Sequence, residues 1–206
     1  MNVVNAGRVL GTLLIMGLLA VPATLAQSVV GQPAPDFTGT DINGTAVRST
    51  DYKGKVVVLE SYSPACPFSA NHYQSGALPA LQAAAVNKGV IWLVVNSTQK
   101  TNPAYQAPDA ARKNWAQNGF KATTMLDDNT GAIGKAYSFK TTPQIVVIDQ
   151  RGVVAYQGAV DDRPESSGDP KTAHNYVRPA IEALLAGKPV AVKETKPYGT
   201  TVKFAN

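Results

Sequence analysis

The sequence contains a single cysteine, Cys66, among its 206 residues. No intramolecular disulfide can form, which excludes the disulfide-stapled scaffolds common among small secreted proteins. The chain is long enough to bury a hydrophobic core without such covalent links. A lone thiol is either a buried structural residue or a chemically used one, and both interpretations are open at this point.

Charge is also sparse and scattered along the chain. Charged residues make up 16% of the sequence, and the formal net charge is +5. The lysines and arginines form no dense cluster and no platform of interleaved aromatic residues, so we expect no nucleic-acid partner. The positive charge instead indicates a solvated surface with a slight preference for anionic partners.

Only the N-terminus carries an extended apolar run, VLGTLLIMGLLA at residues 9–20. It follows a short stretch with one positive charge, and small residues at Thr24 and Ala26 come after it. This order is typical of a secretory signal peptide, residues 1–26, because a membrane-spanning helix needs about 20 apolar residues. We therefore expect a protein that is exported to the periplasm or secreted after cleavage near Ala26. We expect no membrane association after cleavage and one domain over residues 27–206.

Strand and helix patterns alternate through that domain. Asn43-Gly44 predicts an N-terminal β-hairpin, because both residues tolerate the positive φ of a tight turn. Apolar runs predict strands at residues 56–62, 90–96, 123–126, 143–149 and 153–158. Helices are predicted over 67–87 (interrupted near Gly76 and Pro79), 108–118, 131–138 and 172–185. The alternation predicts an α/β fold, with a mixed central β-sheet flanked by helices.

The candidate site lies where the first long strand turns into a helix. Pro67 follows Cys66, and proline suits the first helical position, which makes Cys66 the N-cap of that helix. Free backbone N–H groups and the positive end of the helix dipole favour a thiolate there, as in activated cysteines. Ser63 and Pro64 place the cysteine in a loop at the end of the strand rather than in core packing. This favours the reactive interpretation over the structural one.

Two further features belong to the same region. Glu60 lies six residues before Cys66 in a run of valine and leucine, where a buried carboxylate needs a partner or a proton. Glu60 is either a group for proton transfer near the thiol or an outward-facing residue at the strand end. Thr142-Pro143 precedes a predicted central strand, and a proline cannot donate to the strand ladder. A cis Thr142–Pro143 peptide is the natural candidate for the turn.

Taken together, these features resemble the thioredoxin fold. Thioredoxins carry W-C-x-x-C, a buried acidic residue six positions before the first cysteine, and a cis-proline facing it. Residues 66–69 (CPFS) are similar, with Ser69 in place of the second cysteine. Glu60 and Pro143 fall on the acidic and cis-proline positions. The resemblance implies a catalytic set of Cys66, Glu60, Ser63 and Ser69, and a substrate-binding set of Pro67, Thr142 and Pro143.

A closer resemblance is to the exported, peroxiredoxin-like AhpC/TSA redoxins. It rests on residues 33–37 (PAPDF), 62–68 (YSPACPF) with 72–73 (HY), 158–162 (GAVDD), 175–178 (NYVR) and 196–199 (KPYG). Peroxiredoxins carry P-x-x-x-T/S-x-x-C, and Ser63 fits the hydroxyl position, but Leu59 replaces the proline. Relatives tend to have a cysteine after K-P-x-G, where this chain has Thr200. No resolving cysteine is therefore available within the chain.

The resemblance implies a thiol-dependent oxidoreductase with an antioxidant role, acting by disulfide exchange or by one-cysteine peroxide reduction. Its partners would be an external thiol reductant and a disulfide or peroxide substrate. We expect no cofactor and no metal, because Cys66 and His72 are too few ligands for a metal site. The alternative is a non-catalytic binding or scaffold module that kept one ancestral cysteine, which the replacements at Ser69 and Thr200 favour.

Overall fold

A computed structural model of the protein describes Met1 and residues 27–204. Apart from Met1, the predicted signal peptide at residues 1–26 lies outside the described residues. Among the helices that are described, none has the length and apolar character needed to cross a bilayer.

Strands and helices alternate along the described chain. The strands are β1 (Thr38–Thr40), β2 (Ala46–Arg48), β3 (Val57–Tyr62), β4 (Ile91–Asn96), β5 (Thr124–Asp127), β6 (Thr141–Thr142), β7 (Gln144–Ile148), β8 (Val154–Gly158) and β9 (Thr200–Thr201). The α-helices are α1 (Pro67–Gln74), α2 (Ala77–Val86), α3 (Pro108–Gln117), α4 (Ala132–Ala136) and α5 (Val177–Leu185). Two short 3₁₀ helices lie at Ser49–Tyr52 and Pro170–Thr172.

The central sheet has the strand order β5-β4-β3-β7-β8. Strands β3, β4 and β5 are parallel, whereas β7 pairs antiparallel with both β3 and β8. Every residue of β3 is buried, as its continuous apolar run predicts for a strand covered on both faces. The predicted mixed sheet is confirmed, and its central strand leads directly to Cys66.

Alternate residues of β3 enter two separate hydrophobic cores, because successive side chains of a strand point to opposite faces. Val58 packs in the core that includes α2 and α5. Val57 and Leu59 pack in the core that includes the N-terminal hairpin and α4. The helices therefore lie on both faces of the sheet, as predicted.

The predicted N-terminal hairpin is confirmed, with β1 and β2 paired antiparallel. Gly44 has the positive φ of 82° that the tight turn needs. The carboxylate of Asp41 accepts the N–H groups of Asn43 and Thr45, at 2.9 and 2.8 Å. These bonds satisfy the backbone of the turn and fix the loop between the two strands.

The predicted interruption of the helix over 67–87 is confirmed at Gly76, which adopts a left-handed conformation between α1 and α2, whereas Pro79 lies within α2. The predicted start of the last helix is wrong, because the helix predicted over 172–185 begins only at Val177. Residues 174 and 176 instead hydrogen-bond through their backbones to residues 162 and 160.

Candidate active site

Cys66 lies directly after β3, at the N-cap of α1. Its backbone is extended (φ −85°, ψ 116°), and Pro67 occupies the first helical turn. The sulfur accepts the backbone N–H of Ser69 at 3.4 Å. The predicted N-cap geometry is thereby confirmed, and the thiol faces the positive end of the helix dipole. Its exposed fraction is only 1%, so the sulfur is also covered by other parts of the chain.

The segment before β7 lies against the sulfur. The Thr142–Pro143 peptide is cis, as predicted, and the carbonyl oxygen of Thr142 accepts the Cys66 thiol at 2.8 Å. Ser61 Oγ, on β3, donates to the carbonyl of Thr141 at 2.5 Å and accepts the N–H of Gln144 at 3.1 Å. The prediction from sequence missed Ser61, whose signal was a small hydroxyl next to Glu60 in a strand that begins with an apolar run.

The C-terminal strand β9 completes the surroundings of the thiol. It pairs antiparallel with β6, with Thr200 opposite Thr142. The hydroxyl of Thr142 donates to the carbonyl of Thr200 at 3.4 Å. The hydroxyl and the backbone N–H of Thr200 also help to lower the pKa of the Cys66 thiol. Residue 200 therefore lies beside Cys66, and the Thr200 side chain there is a hydroxyl rather than a thiol.

The surroundings of Cys66 act in opposite directions on its ionisation. Burial raises the pKa of the thiol, and the carbonyl of Thr142 favours the protonated form. The hydroxyls of Thr142 and Thr200, with the N–H groups of Ser69 and Thr200, favour the thiolate. The hydrogen bonds outweigh burial, so the pKa of Cys66 is lower than that of a free cysteine.

Glu60 is fully buried, with an exposed fraction of 0%, so the alternative of an outward-facing residue is wrong. Its carboxylate accepts Tyr73 Oη at 2.6 Å, Gln82 Nε2 at 2.9 Å and Trp92 Nε1 at 2.8 Å. Burial raises the pKa of Glu60, while these three donors oppose the rise. Because the donors come from α1, α2 and β4, the carboxylate links three elements around β3. A role in proton transfer to Cys66 stays a prediction.

The remaining candidate residues lie around the same turn. Ser69 is fully buried, and its Oγ has no hydrogen-bond partner among the described residues. Ser63 is half-buried and contacts Cys66 through its carbonyl, which accepts the Cys66 N–H at 3.1 Å. Pro67 is exposed at the start of α1. The Ser69 hydroxyl, which has no partner among the described residues, therefore lies at the position of the second cysteine of C-x-x-C.

His72 is a buried packing residue that joins α1 to the C-terminal region. Its Nε2 lies 3.1 Å from Tyr198 Oη and 3.8 Å from a carboxylate oxygen of Asp161. Burial lowers the pKa of His72, while Asp161 opposes the shift, so the imidazole is neutral at neutral pH. Residues 27–204 contain no group of three or more potential metal ligands.

A mixed sheet, a cysteine at a helix N-cap and a cis-proline segment against its sulfur together define a thioredoxin-like fold. The Redoxin family model matches residues 29–176, and the chain belongs to the Redoxin family. No curated protein matches the sequence.

Several solved structures share this fold. An uncharacterised conserved protein from Geobacillus kaustophilus is 29% identical, with a TM-score of 0.76, and the match covers 86% of this chain and 93% of that one. A hypothetical protein from Sinorhizobium meliloti is 20% identical, with a TM-score of 0.74 and coverage of 86% and 95%. A secreted Mycobacterium tuberculosis disulfide oxidoreductase is 22% identical, with a TM-score of 0.53 and coverage of 72% and 96%. The last two similarities concern the fold alone.

The buried carboxylate makes the stability of the protein depend on pH. We expect Tyr73→Phe to lower the free energy of unfolding by about 1.5–3 kcal/mol at pH values above the folded pKa of Glu60, because it removes a donor from a carboxylate that is then charged and buried. Burial already raises the pKa of folded Glu60 above its unfolded value of about 4.3, so stability falls as pH rises through the folded pKa. Losing a donor raises that pKa further, so the cost shrinks at acidic pH. Urea unfolding of the wild type and the variant, below and above the folded pKa of Glu60, measures the difference in their free energies of unfolding.

Tyr62→Phe is the matched control, because Tyr62 is a buried tyrosine whose hydroxyl bonds to Asn114 at 2.8 Å rather than to the carboxylate. Its cost is expected to be about 1 kcal/mol and independent of pH. Equal pH dependence in the two variants would contradict the assignment of the Tyr73 effect to Glu60.

The geometry around Ser69 predicts that a second cysteine at this position pairs with Cys66. We expect Ser69→Cys to form an intramolecular disulfide on mild oxidation, because residue 69 already bonds to the sulfur through its backbone. Loss of titratable thiols and of two hydrogens from the intact mass is the measurement. Ser75→Cys, one residue after the end of α1, is the control and keeps two free thiols. Free thiols in both variants would refute the predicted pairing.

The lowered pKa of Cys66 has its own kinetic signature. We expect the pH profile of iodoacetamide alkylation to have its midpoint at lower pH in the folded protein than in the urea-unfolded chain, where cysteine has a pKa of about 8.5. The midpoint is the readout, because burial slows alkylation at every pH. A folded midpoint at or above the unfolded one would mean that burial outweighs the donors.

Proposed function

We propose that the protein is a thiol-dependent oxidoreductase that acts through Cys66 and belongs functionally with the peroxiredoxin-like redoxins. The observation that carries the proposal is the hydrogen-bonded sulfur at the N-cap of α1, beside the cis Thr142–Pro143 peptide. A structural cysteine has no need of donors that lower its pKa, whereas a nucleophilic one does. Membership of the Redoxin family supports the same chemistry.

With a disulfide substrate, the Cys66 thiolate attacks one sulfur and forms a mixed disulfide. The other substrate sulfur leaves as a thiolate and takes up a proton from water. Cys66 is the only cysteine in the chain, so no internal thiol can release the product. An external thiolate attacks the substrate sulfur of the mixed disulfide, and the Cys66 thiolate leaves. The external sulfur and the substrate sulfur depart together as a disulfide.

With a peroxide, the thiolate attacks one oxygen of the O–O bond. Cys66 becomes a sulfenic acid, and the other oxygen leaves as an alcohol or water after taking up a proton. One external thiol condenses with the sulfenic acid to give a mixed disulfide and water. A second external thiol then restores Cys66 and leaves as a disulfide. Both routes require an external thiol reductant.

The neighbouring residues have separate roles in this proposal. The N–H of Ser69 and the groups of Thr200 hold the thiolate, and Thr142 and Pro143 with Pro67 form the wall against which a substrate would dock. Glu60 would act as a proton reservoir behind the site.

We also propose that the protein is exported, with residues 27–206 as the mature domain. The order of charge, apolar run and small residues over 1–26 supports export. The fold neighbour from Mycobacterium tuberculosis is described as a secreted disulfide oxidoreductase, which agrees with that location. In an oxidising compartment a lone thiol persists only if it is covered or regenerated.

The proposal is tested by intact-mass measurement of the reduced protein after addition of stoichiometric hydrogen peroxide or of a small disulfide. A sulfenic-acid trap is present in the peroxide arm. We expect either a trapped sulfenic acid or a mixed disulfide to form on Cys66 faster than on free cysteine at the same pH, because the thiolate is stabilised. Cys66→Ser must abolish both products.

If neither product forms on wild-type protein faster than on free cysteine, the oxidoreductase proposal fails. The non-catalytic scaffold, which the hydroxyls at Ser69 and Thr200 favour, would then be the better account. Formation of the sulfenic acid alone selects peroxide reduction, and formation of the mixed disulfide alone selects exchange.

A further inference from the structure

The C-terminal segment, residues 193–204, runs along the edge of the sheet toward Cys66. It first pairs with β8, through hydrogen bonds between Gln157 and the backbone of residues 193 and 195. Thr195 Oγ1 accepts the N–H of Ala159 at 2.9 Å and lies 2.7 Å from Tyr156 Oη. The segment then crosses to β6, and Val202 N donates to the carbonyl of residue 140 at 3.0 Å. It is therefore bonded to the body of the domain on both sides of the thiol.

Tyr198 fastens the middle of the segment next to the site. Its hydroxyl donates to the carboxylate of Asp161 and lies 3.1 Å from His72 Nε2. Its ring packs against Phe68, which follows Pro67 in α1, with 5.9 Å between ring centroids. One side chain thus ties the segment to the helix that begins at Cys66.

Gly199 lets the segment approach the site at the distance of backbone contact. Its φ is +124°, and a Cβ at this position would overlap the carbonyl oxygen of Thr142. That carbonyl is the group that accepts the Cys66 thiol. Only glycine allows the chain to pass here, and Thr200 then reaches both Thr142 and the sulfur.

In this arrangement, the backbone N–H and C=O groups at the strand edge beside the thiol are already paired. An extended polypeptide that docks on a sheet edge needs unpaired N–H and C=O groups there. At Thr141–Thr142 those groups already pair with Thr200–Thr201, and Cys66 is 1% exposed. A polypeptide substrate would have to remove β9 before its disulfide could reach the sulfur.

The open space next to the site is small. A cavity of about 120 Å³ adjoins the turn before Cys66 and the β6–β9 pair. Sites for drug-sized ligands have volumes of roughly 300–1,000 Å³, so this cavity suits only a molecule of a few heavy atoms. Its lining includes Tyr62, Ser63, Ala65, Thr142, Thr200 and Thr201.

We propose that the C-terminal segment determines the substrate class: it excludes extended polypeptides and restricts Cys66 to low-molecular-weight disulfides, thiols and peroxides. The inference rests on the proposed oxidoreductase function. Thr200 and Gly199 are the specificity-determining residues, because one occupies the edge beside the sulfur and the other allows the close approach. Tyr198 is a positioning residue that holds them in place.

Two disulfides with the same leaving group, 2-mercaptoethanol, test this proposal. The small carrier is bis(2-hydroxyethyl) disulfide, and the peptide carrier is a flexible peptide whose central cysteine is joined to 2-mercaptoethanol through a disulfide. Attack by the Cys66 thiolate on the carrier sulfur forms the mixed disulfide, which its intact mass identifies, and releases 2-mercaptoethanol as a thiolate that takes up a proton from water. The ratio of the two rates of mixed-disulfide formation measures selectivity. The urea-unfolded chain, in which the C-terminal segment no longer covers Cys66, gives the reference ratio.

We expect wild-type protein to favour the small carrier by at least roughly tenfold relative to the unfolded chain. In Gly199→Ala the added Cβ displaces β9, so the ratio falls toward the unfolded value. Gly152→Ala is the matched control, because Gly152 has φ +80° and no atom lies within 4 Å of the position that a Cβ would take. It introduces similar backbone strain in the β7–β8 turn, away from Cys66, and keeps the wild-type ratio.

Tyr198→Phe is the second variant, for use if Gly199→Ala fails to fold. It removes the hydroxyl bonded to Asp161 and His72 but keeps the ring on Phe68. We expect a partial fall in the ratio and faster hydrogen exchange at the amide of Val202. Tyr137→Phe, which loses a hydroxyl bond to Pro35 instead, is its control and keeps the ratio.

The outcomes separate this inference from the function on which it rests. A wild-type ratio equal to that of the unfolded chain overturns the inference alone, since Cys66 then reacts with both carriers. Reaction of the small carrier in the wild type, with the peptide carrier admitted only in the variants, supports both proposals. Reaction of neither carrier in any folded variant overturns this inference and removes disulfide exchange, and the sulfenic-acid measurement then decides whether Cys66 reduces peroxides.

Discussion

Strand β3 carries two adjacent polar side chains, Glu60 and Ser61, into positions that water does not reach. A buried polar group without a partner costs free energy comparable to a lost hydrogen bond, and a buried charge costs more. Glu60 is satisfied by donors on α1, α2 and β4, and Ser61 by the backbone around the cis-proline. Glu60 and Ser61 lie on opposite faces of β3. The bonds of Glu60 fix helix α1, and those of Ser61 fix the loop with the cis-proline, and this helix and loop meet at Cys66.

Glu60 and Ser61 therefore fix the elements that surround the thiol, through hydrogen bonds to groups other than the sulfur. Its own donors come from α1, β6 and β9, which are far apart in sequence. Burial alone would favour the neutral thiol, and the donors reverse that preference. A helix N-terminus contributes only a modest stabilisation, of about 0.3–1 kcal/mol at exposed sites. The lowered pKa of Cys66 thus depends on tertiary contacts with Thr142 and Thr200 as much as on the helix.

Local chemistry made much of this arrangement predictable from sequence. The hairpin at Asn43-Gly44, the N-cap at Cys66 and the cis Thr142–Pro143 peptide each depend on a few adjacent residues. The partners of Glu60 could not be predicted, because they lie 13, 22 and 32 residues away. The pairing of β6 with β9 was also missed, since two-residue strands have no periodicity to read. Residues 174 and 176 have a helical pattern, but contacts with residues 162 and 160 override it.

A single cysteine under a fixed cover constrains both halves of a redox cycle. Ser69 and Thr200, beside the sulfur, are not thiols, so in the proposed cycle the electrons that restore Cys66 come from an external thiol. The external thiol has to reach the same sulfur past the same C-terminal segment as the substrate does. A cover that excludes polypeptides from oxidising Cys66 therefore also excludes a protein reductant that docks as a strand. The C-terminal segment therefore sets the same size limit for the substrate and for the reductant.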